Sequence, residues 1–276
     1  MTYGVVGREA LDYRWCRYGS SKLRFRGPKR ALDAPYAAFV GGTETFGKFI
    51  DAPYPDLVER HTGLGCVNFG VPGASTEAFV NDQTVLTACR RARITVVEVT
   101  GAQNLSNRFY TVHPRRNDRF LRVTPLMRRV FGDMDFSGCH FTGHLLRDLH
   151  AVAPERAAIV RQDLRETWVQ RMGSLLKRIG GPVVLLWFAG HGPDGAGLSE
   201  APGTGPALVD RVLLDRVAPL AQRVIEVTPS DAARGAGTDG MVFDITQARA
   251  AAELLGPTAH QDAARALIAA LPELAR

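Results

Sequence analysis

Five short apolar runs, set apart by stretches of helical periodicity, constrain this chain more than any other feature. They are Tyr36 to Val40, Cys66 to Phe69, Ile94 to Val99, Val183 to Phe188 and Val224 to Val227. Runs so short and so apolar read as strands covered on both faces. Between them apolar residues recur at helical spacing over about 54–63, 76–91, 155–179 and 207–221. The clearest stripe runs through positions 157, 160, 164, 168, 172, 175, 176 and 179. A last helix is predicted over about 259–271.

Strands alternating with helices predict a parallel sheet joined by right-handed crossovers. The expected fold is α/β: a three-layer, doubly wound parallel sheet in the flavodoxin-like order 2-1-3-4-5. The chain between the third and fourth strands is too long for a plain connection. The segment about 108–154 therefore reads as an insertion that partly covers the sheet's C-terminal edge. Residues 1–34 read as a basic arm packed on a 35–276 domain, and the Gly/Pro-rich stretch 192–206 reads as a loop. Ligands on such sheets bind beyond the C-terminal strand ends, so those residues carry the functional argument.

After the first strand comes Gly41-Gly42-Thr43-Glu44-Thr45-Phe46-Gly47. After the second comes Asn68-Phe69-Gly70-Val71-Pro72-Gly73-Ala74-Ser75, and after the third Gly101-Ala102-Gln103-Asn104. Gly256-Pro257-Thr258-Ala259-His260 opens the last helix. Thr43 also reads simply as a helix N-cap. These four blocks, in this order, resemble the SGNH-hydrolase (GDSL) superfamily. That resemblance implies a nucleophile at Thr43 and a general base at His260. It implies oxyanion donors at Gly73, at the Thr43 amide, and at Gln103 by a gapless match or Asn104 by a shift of one. Thr45, Gly47, Asn68 and Gly70 also match. Gly42 stands where the family has Asp, and Pro257 where it has the Asp partner of the His; Asp262, Glu253, Asp244 and Glu44 are alternative acids. Longer stretches, such as Arg17 to Pro28 and Phe39 to Gly47, resemble a bacterial domain family of unknown function.

Charge is concentrated. Arg14 to Arg30 holds seven basic residues and no acid, and Arg108 to Arg129 holds seven arginines against the single acid Asp118. The windows carry +7 and +6 against a formal total of +6, which leaves the remainder at −7. Localised anion sites fit this distribution better than a nucleic-acid surface. Arg24, Arg26, Arg108, His113, Arg115, Arg116 and Arg119 are the candidate anion-binding residues, because guanidinium forks suit carboxylate, phosphate or sulfate. Phe109, Tyr110 and Phe120 beside them are candidates to stack a sugar or base.

The expected function is that of an esterase or acyltransferase acting on an anionic, carbohydrate-containing ester. Two other readings stand beside it. One is a degenerate module that binds an anionic glycan or a phosphate- or sulfate-bearing ligand. The other is a transferase with an anionic donor. No phosphate-binding loop, full dinucleotide fingerprint, zinc finger or RNA-binding signature is present, so no cofactor or nucleic-acid partner is expected. His140, His144 and His150 lack ligand partners at metal spacing. No secretory apolar segment opens the chain, no run is long enough to span a bilayer, and the four cysteines form no Cys-x-x-Cys pair. A cytoplasmic protein with free thiols is expected.

Overall fold

The five apolar runs form one parallel sheet. The computed structural model describes residues 11–195 and 205–271. Its strands are β1 (Tyr36–Gly41), β2 (Gly65–Gly70), β3 (Ile94–Glu98), β4 (Tyr110–His113), β5 (Arg116–Val123), β6 (Val183–Phe188) and β7 (Arg223–Val227). The sheet order is β2-β1-β3-β6-β7, with every neighbouring pair parallel. Counted among sheet strands alone this is 2-1-3-4-5, the doubly wound order expected. β4 and β5 pair with each other as a separate antiparallel hairpin.

The helices are α1 (Thr43–Phe46), α2 (Tyr54–Thr62), α3 (Thr76–Val80), α4 (Gln83–Arg91), α5 (Pro125–Val130), α6 (Thr142–Val152), α7 (Pro154–Ile179), α8 (Arg211–Val217), α9 (Asp231–Ala236), α10 (Ala248–Ala252) and α11 (Pro257–Ala270). Successive strand side chains face opposite ways. Ala38, Val40, Val97, Leu185 and Trp187 join a core with α4, α7 and α8. Ala37, Phe39, Val96, Val184 and Leu186 join a second core with α2, α9 and α11. The sheet is thus the middle of three layers. Trp168 of α7 is fully buried and donates its indole N–H to the Thr100 carbonyl at 2.7 Å, just past β3. A side chain of this size contributes about 3–5 kcal/mol to a core.

Two predicted helices are shorter than their periodicity suggests. The stretch 76–91 breaks into α3 and α4 because Asp82 caps α4, accepting the Thr84 and Val85 N–H groups at 3.0 and 3.1 Å. A short acid competes for backbone donors and so starts a helix rather than continuing one. The stretch 207–221 is helical only from Arg211, after the cap Asp210. A tight turn of helix with Pro219 then follows.

The described part of the arm pairs with itself through Cys16 and Phe25. It buries Tyr18, Leu23 and Phe25, and both Tyr18 and Phe25 meet Phe69. The segment after β3 supplies the hairpin, α5 and α6. Of the Gly/Pro-rich stretch 192–206, residues 196–204 lie outside the described residues. All four cysteines are free. Among the described residues no helix is long and apolar enough to cross a membrane.

Candidate active site

Strand ends β1, β2 and β3 bring Thr43, Gly73 and Asn104 together. Thr43 begins α1 directly after the Gly41-Gly42 turn, half-buried. The Gly73 N–H donates to Thr43 Oγ1 at 3.0 Å. Asn104 Nδ2 donates to the Gly73 carbonyl at 3.2 Å, and Asn104 Oδ1 accepts from the Thr142 hydroxyl of α6. Of positions 103 and 104, Asn104 is the side chain tied to Gly73. Gln103 Oε1 instead lies against Gly101 and is buried without a hydrogen bond.

Gly73 takes φ +70°, where a side chain is strained. A Cβ there would lie 3.1 Å from the Asp118 Cγ. Gly73→Ala is therefore expected to lose about 1–2 kcal/mol of stability and to push Asp118 off the site. A denaturant titration checks this, and an unchanged midpoint counts against the placement.

Under the α1 turn lies a residue that the sequence reading passed over. Glu98 ends β3 and is buried. Its Oε2 accepts the Gly42 N–H at 2.9 Å, the Thr45 N–H at 3.0 Å and the Thr45 hydroxyl. With the Thr45 proton committed to Glu98, the Tyr54 hydroxyl is the donor in its 2.8 Å bond with Thr45 Oγ1. Burial pushes the Glu98 carboxyl up to about 7 despite those donors. Gly41 is needed here, because a Cβ would fall 2.1 Å from Thr45 Oγ1 and 2.3 Å from Glu98 Oε2. A lone Glu inside an apolar strand was the available signal.

His260 makes no hydrogen bond to Thr43. It is fully buried near the start of α11, its ring parallel to Tyr54 and edge-on to Phe188. Nδ1 accepts the Tyr54 backbone N–H at 3.2 Å. Nε2 has no hydrogen bond and faces Glu44 Oε2 at 3.6 Å. Thr43 and His260 are therefore not hydrogen-bonded to each other. Of the alternative acids, Glu44 is the one beside His260. Asp262 accepts from the Ser230 N–H and pairs with Arg265. Glu253 pairs with Arg249, and Asp244 caps its own turn.

The acid against Gly73 comes from the β4–β5 hairpin. Asn117, fully buried on β5, accepts the Ser75 N–H and hydroxyl at 2.9 and 3.0 Å and donates to the His113 carbonyl. That anchor sets the next residue, Asp118, against Gly73. Burial raises the Asp118 carboxyl above the usual carboxylate range, against backbone hydrogen bonding and the nearby Arg119 and Arg116.

The expected anion set is dispersed over separate partners. Arg26 is buried and donates to the Gly47 and Asp51 carbonyls at 2.8 and 2.6 Å, so its donors serve the α1 turn rather than a ligand. Arg24 lies over Trp15, and Arg119 over Phe141. Arg108 pairs with Asp163. His113 Nδ1 accepts the Arg115 and Arg116 N–H groups and shapes the hairpin tip, where both arginines are exposed. Phe109 and Tyr110 are core residues and offer no face to a ligand; Phe120 is half-buried on Tyr110. No group of three His, Cys, Asp or Glu side chains among the described residues is placed to hold a metal.

A doubly wound parallel sheet carrying Thr, Gly and Asn at its first three strand ends defines a three-layer α/β protein. Within that class the chain belongs to the family described as Domain of unknown function (DUF6473), which matches residues 1–275. No curated protein matches it. Among solved structures it is similar to a lipase from a goat rumen metagenome (12% identity, TM-score 0.46, covering 86% of this chain and 97% of that one). It is also similar to a lipase/acylhydrolase from Enterococcus faecalis (14%, 0.40, 86% and 95%). A third is a mutant acetyl-xylooligosaccharide esterase from Geobacillus Stearmophilus (11%, 0.40, 88% and 95%).

Proposed function

We propose that the chain hydrolyses or transfers the acyl group of a carboxylic ester at Thr43. The observation that carries this is the Gly73 N–H resting on Thr43 Oγ1, with the Asn104 amide one bond further on. A hydroxyl and amide donors converge where the ester carbonyl would sit, and donors fixed in advance stabilise the developing oxyanion. Asn104 Nδ2 has a second proton for that oxygen.

In this reading Thr43 Oγ attacks the carbonyl carbon, and the hydroxyl proton passes to a base. Asp118 is that base, since it stands beside Gly73 while His260 is not hydrogen-bonded to Thr43. The alcohol departs with the proton returned from Asp118. Water or an acceptor alcohol then releases the acyl group from Thr43 by the reverse of these steps. Aryl acetate hydrolysis tests the reading: Thr43→Ala is expected to fall to the uncatalysed background, and turnover that survives the substitution overturns it.

The closed environment of His260 favours one second reading, a cleft that keeps its donors and binds an ester or carboxylate without turnover. Saturable ligand binding by a chain that hydrolyses no ester would select it.

A further inference from the structure

The described arm closes a cavity of about 280 Å³ against α1 and the loop ahead of α10. Its walls are largely aromatic: Tyr13 and Trp15 from the arm, Phe46 and Phe49 at α1, and Phe243 from that loop. Pro72 lines it too, one residue before Gly73, and Phe46 lies in the same helical turn as Thr43. The cavity therefore adjoins the Thr43 site.

Three of these rings carry a cation. Arg24 stands 5.1 Å from the Trp15 centroid, Arg26 5.3 Å from Tyr13, and Lys48 Nζ 4.7 Å from Phe49. Arg26 is committed to main-chain carbonyls. Lys48, itself in the wall, forms no ion pair among the described residues, and neither does Arg24. The acid in the wall is Asp244, whose Oδ1 already accepts the Thr246 N–H and hydroxyl at 2.9 and 2.7 Å. Three cations, Lys48, Arg24 and Arg26, thus stand at the wall rings against the one wall carboxylate, Asp244. Ligand pockets run to about 300–1,000 Å³, so this one suits a single ring with a small head group rather than an oligosaccharide.

We propose that this cavity binds an aromatic carboxylate, with the ring against Phe46 and Phe243 and the carboxylate on Lys48. Flat apolar walls favour an aromatic body over an aliphatic one. An ammonium sheltered by aromatic walls favours an anion over its neutral amide. The proposal rests on the ester reading in one respect only: it makes this acid the anionic part of the ester substrate. Binding itself requires no turnover.

Benzoate is the probe, benzamide its neutral counterpart and cyclohexanecarboxylate its non-aromatic one. Trp15 is 44% exposed while Trp168 and Trp187 are fully buried, so ligand-dependent tryptophan emission reports this cavity. Benzoate is expected to change the emission saturably, and Trp15→Phe to remove the change while calorimetric binding persists. Benzamide and cyclohexanecarboxylate are each expected to bind at least about tenfold more weakly, and Lys48→Met to bring benzoate to the benzamide level. Phe243→Ala, which removes a wall ring, should weaken all three probes.

Absence of both emission change and heat with benzoate overturns the proposal. So does benzamide binding as tightly as benzoate, or a folded Lys48→Met protein that binds benzoate as the wild type does. Thr43→Ala should bind benzoate unchanged. A chain that binds benzoate and hydrolyses no ester therefore removes the ester reading and leaves this one standing.

Discussion

Glu98→Ala is expected to lower the unfolding free energy by about 3–5 kcal/mol, the largest stability loss of any substitution near the site. The carboxylate is the acceptor for the Gly42 N–H, the Thr45 N–H and the Thr45 hydroxyl. Removing it strands buried donors at about 1–3 kcal/mol each, offset where Thr45 turns to Tyr54, and adds a small cavity. The same bonds hold the turn that presents Thr43, so activity should fall with stability. Denaturant titration reads the effect as a lowered midpoint at an unchanged slope. A loss below about 1 kcal/mol means the turn is held by something else.

Protonation gives this prediction a second arm. Burial moves the Glu98 carboxyl from 4.5 up to about 7. Across that window the folded chain keeps a proton that the unfolded chain has released. Stability from this group is therefore fully present below pH 4.5, is lost as pH rises toward 7, and is level above. The loss amounts to about 3 kcal/mol for a shift of this size. Glu98→Gln keeps an acceptor for the backbone donors and cannot titrate, so it should flatten the slope. A slope that persists in Glu98→Gln belongs to another group.

Strands were legible because burial on both faces leaves an uninterrupted apolar run, and each run kept its limits to within a residue. Helix ends were less so, since Asp82 and Asp210 stop or start a helix through a side-chain bond that hydrophobic spacing does not encode. The Thr43 and Gly73 positions were legible as glycine-rich strand ends, while 103 and 104 stood as alternatives. The orientation of His260 was not. It depends on Tyr54 offering a backbone N–H from 206 positions away and on Glu44 facing Nε2. The arginine windows drew attention by their charge, yet the groups that meet the site are different ones. The acid hidden among seven arginines lies against Gly73, and Lys48, outside both windows, lines the aromatic cavity. Charge density along a sequence marks exposed segments well, because most such charges remain in water. A single charge set against a site leaves no such density along the sequence.

Asp118→Asn is expected to cost most of the activity while leaving the fold intact. Asn is nearly isosteric, the Asn117 anchor is untouched, and Asp118 is half-buried, so the unfolding midpoint should hardly move. A positioned general base contributes about 10²–10⁴ in rate, and kcat for ester hydrolysis should fall by that factor with KM nearly unchanged. Burial raises the Asp118 carboxyl above the ordinary range, so wild-type activity should rise with pH as that group ionises and then level off. Asp118→Asn should lack that limb. His260→Gln provides the contrast. An amide oxygen can still accept the Tyr54 N–H, so the variant should lose some stability yet keep the limb. Loss of the limb in His260→Gln with its retention in Asp118→Asn would return the base to His260. It would also require the ring to leave Tyr54 and Glu44 when substrate binds, because in the free protein the imidazole has no hydrogen bond to Thr43.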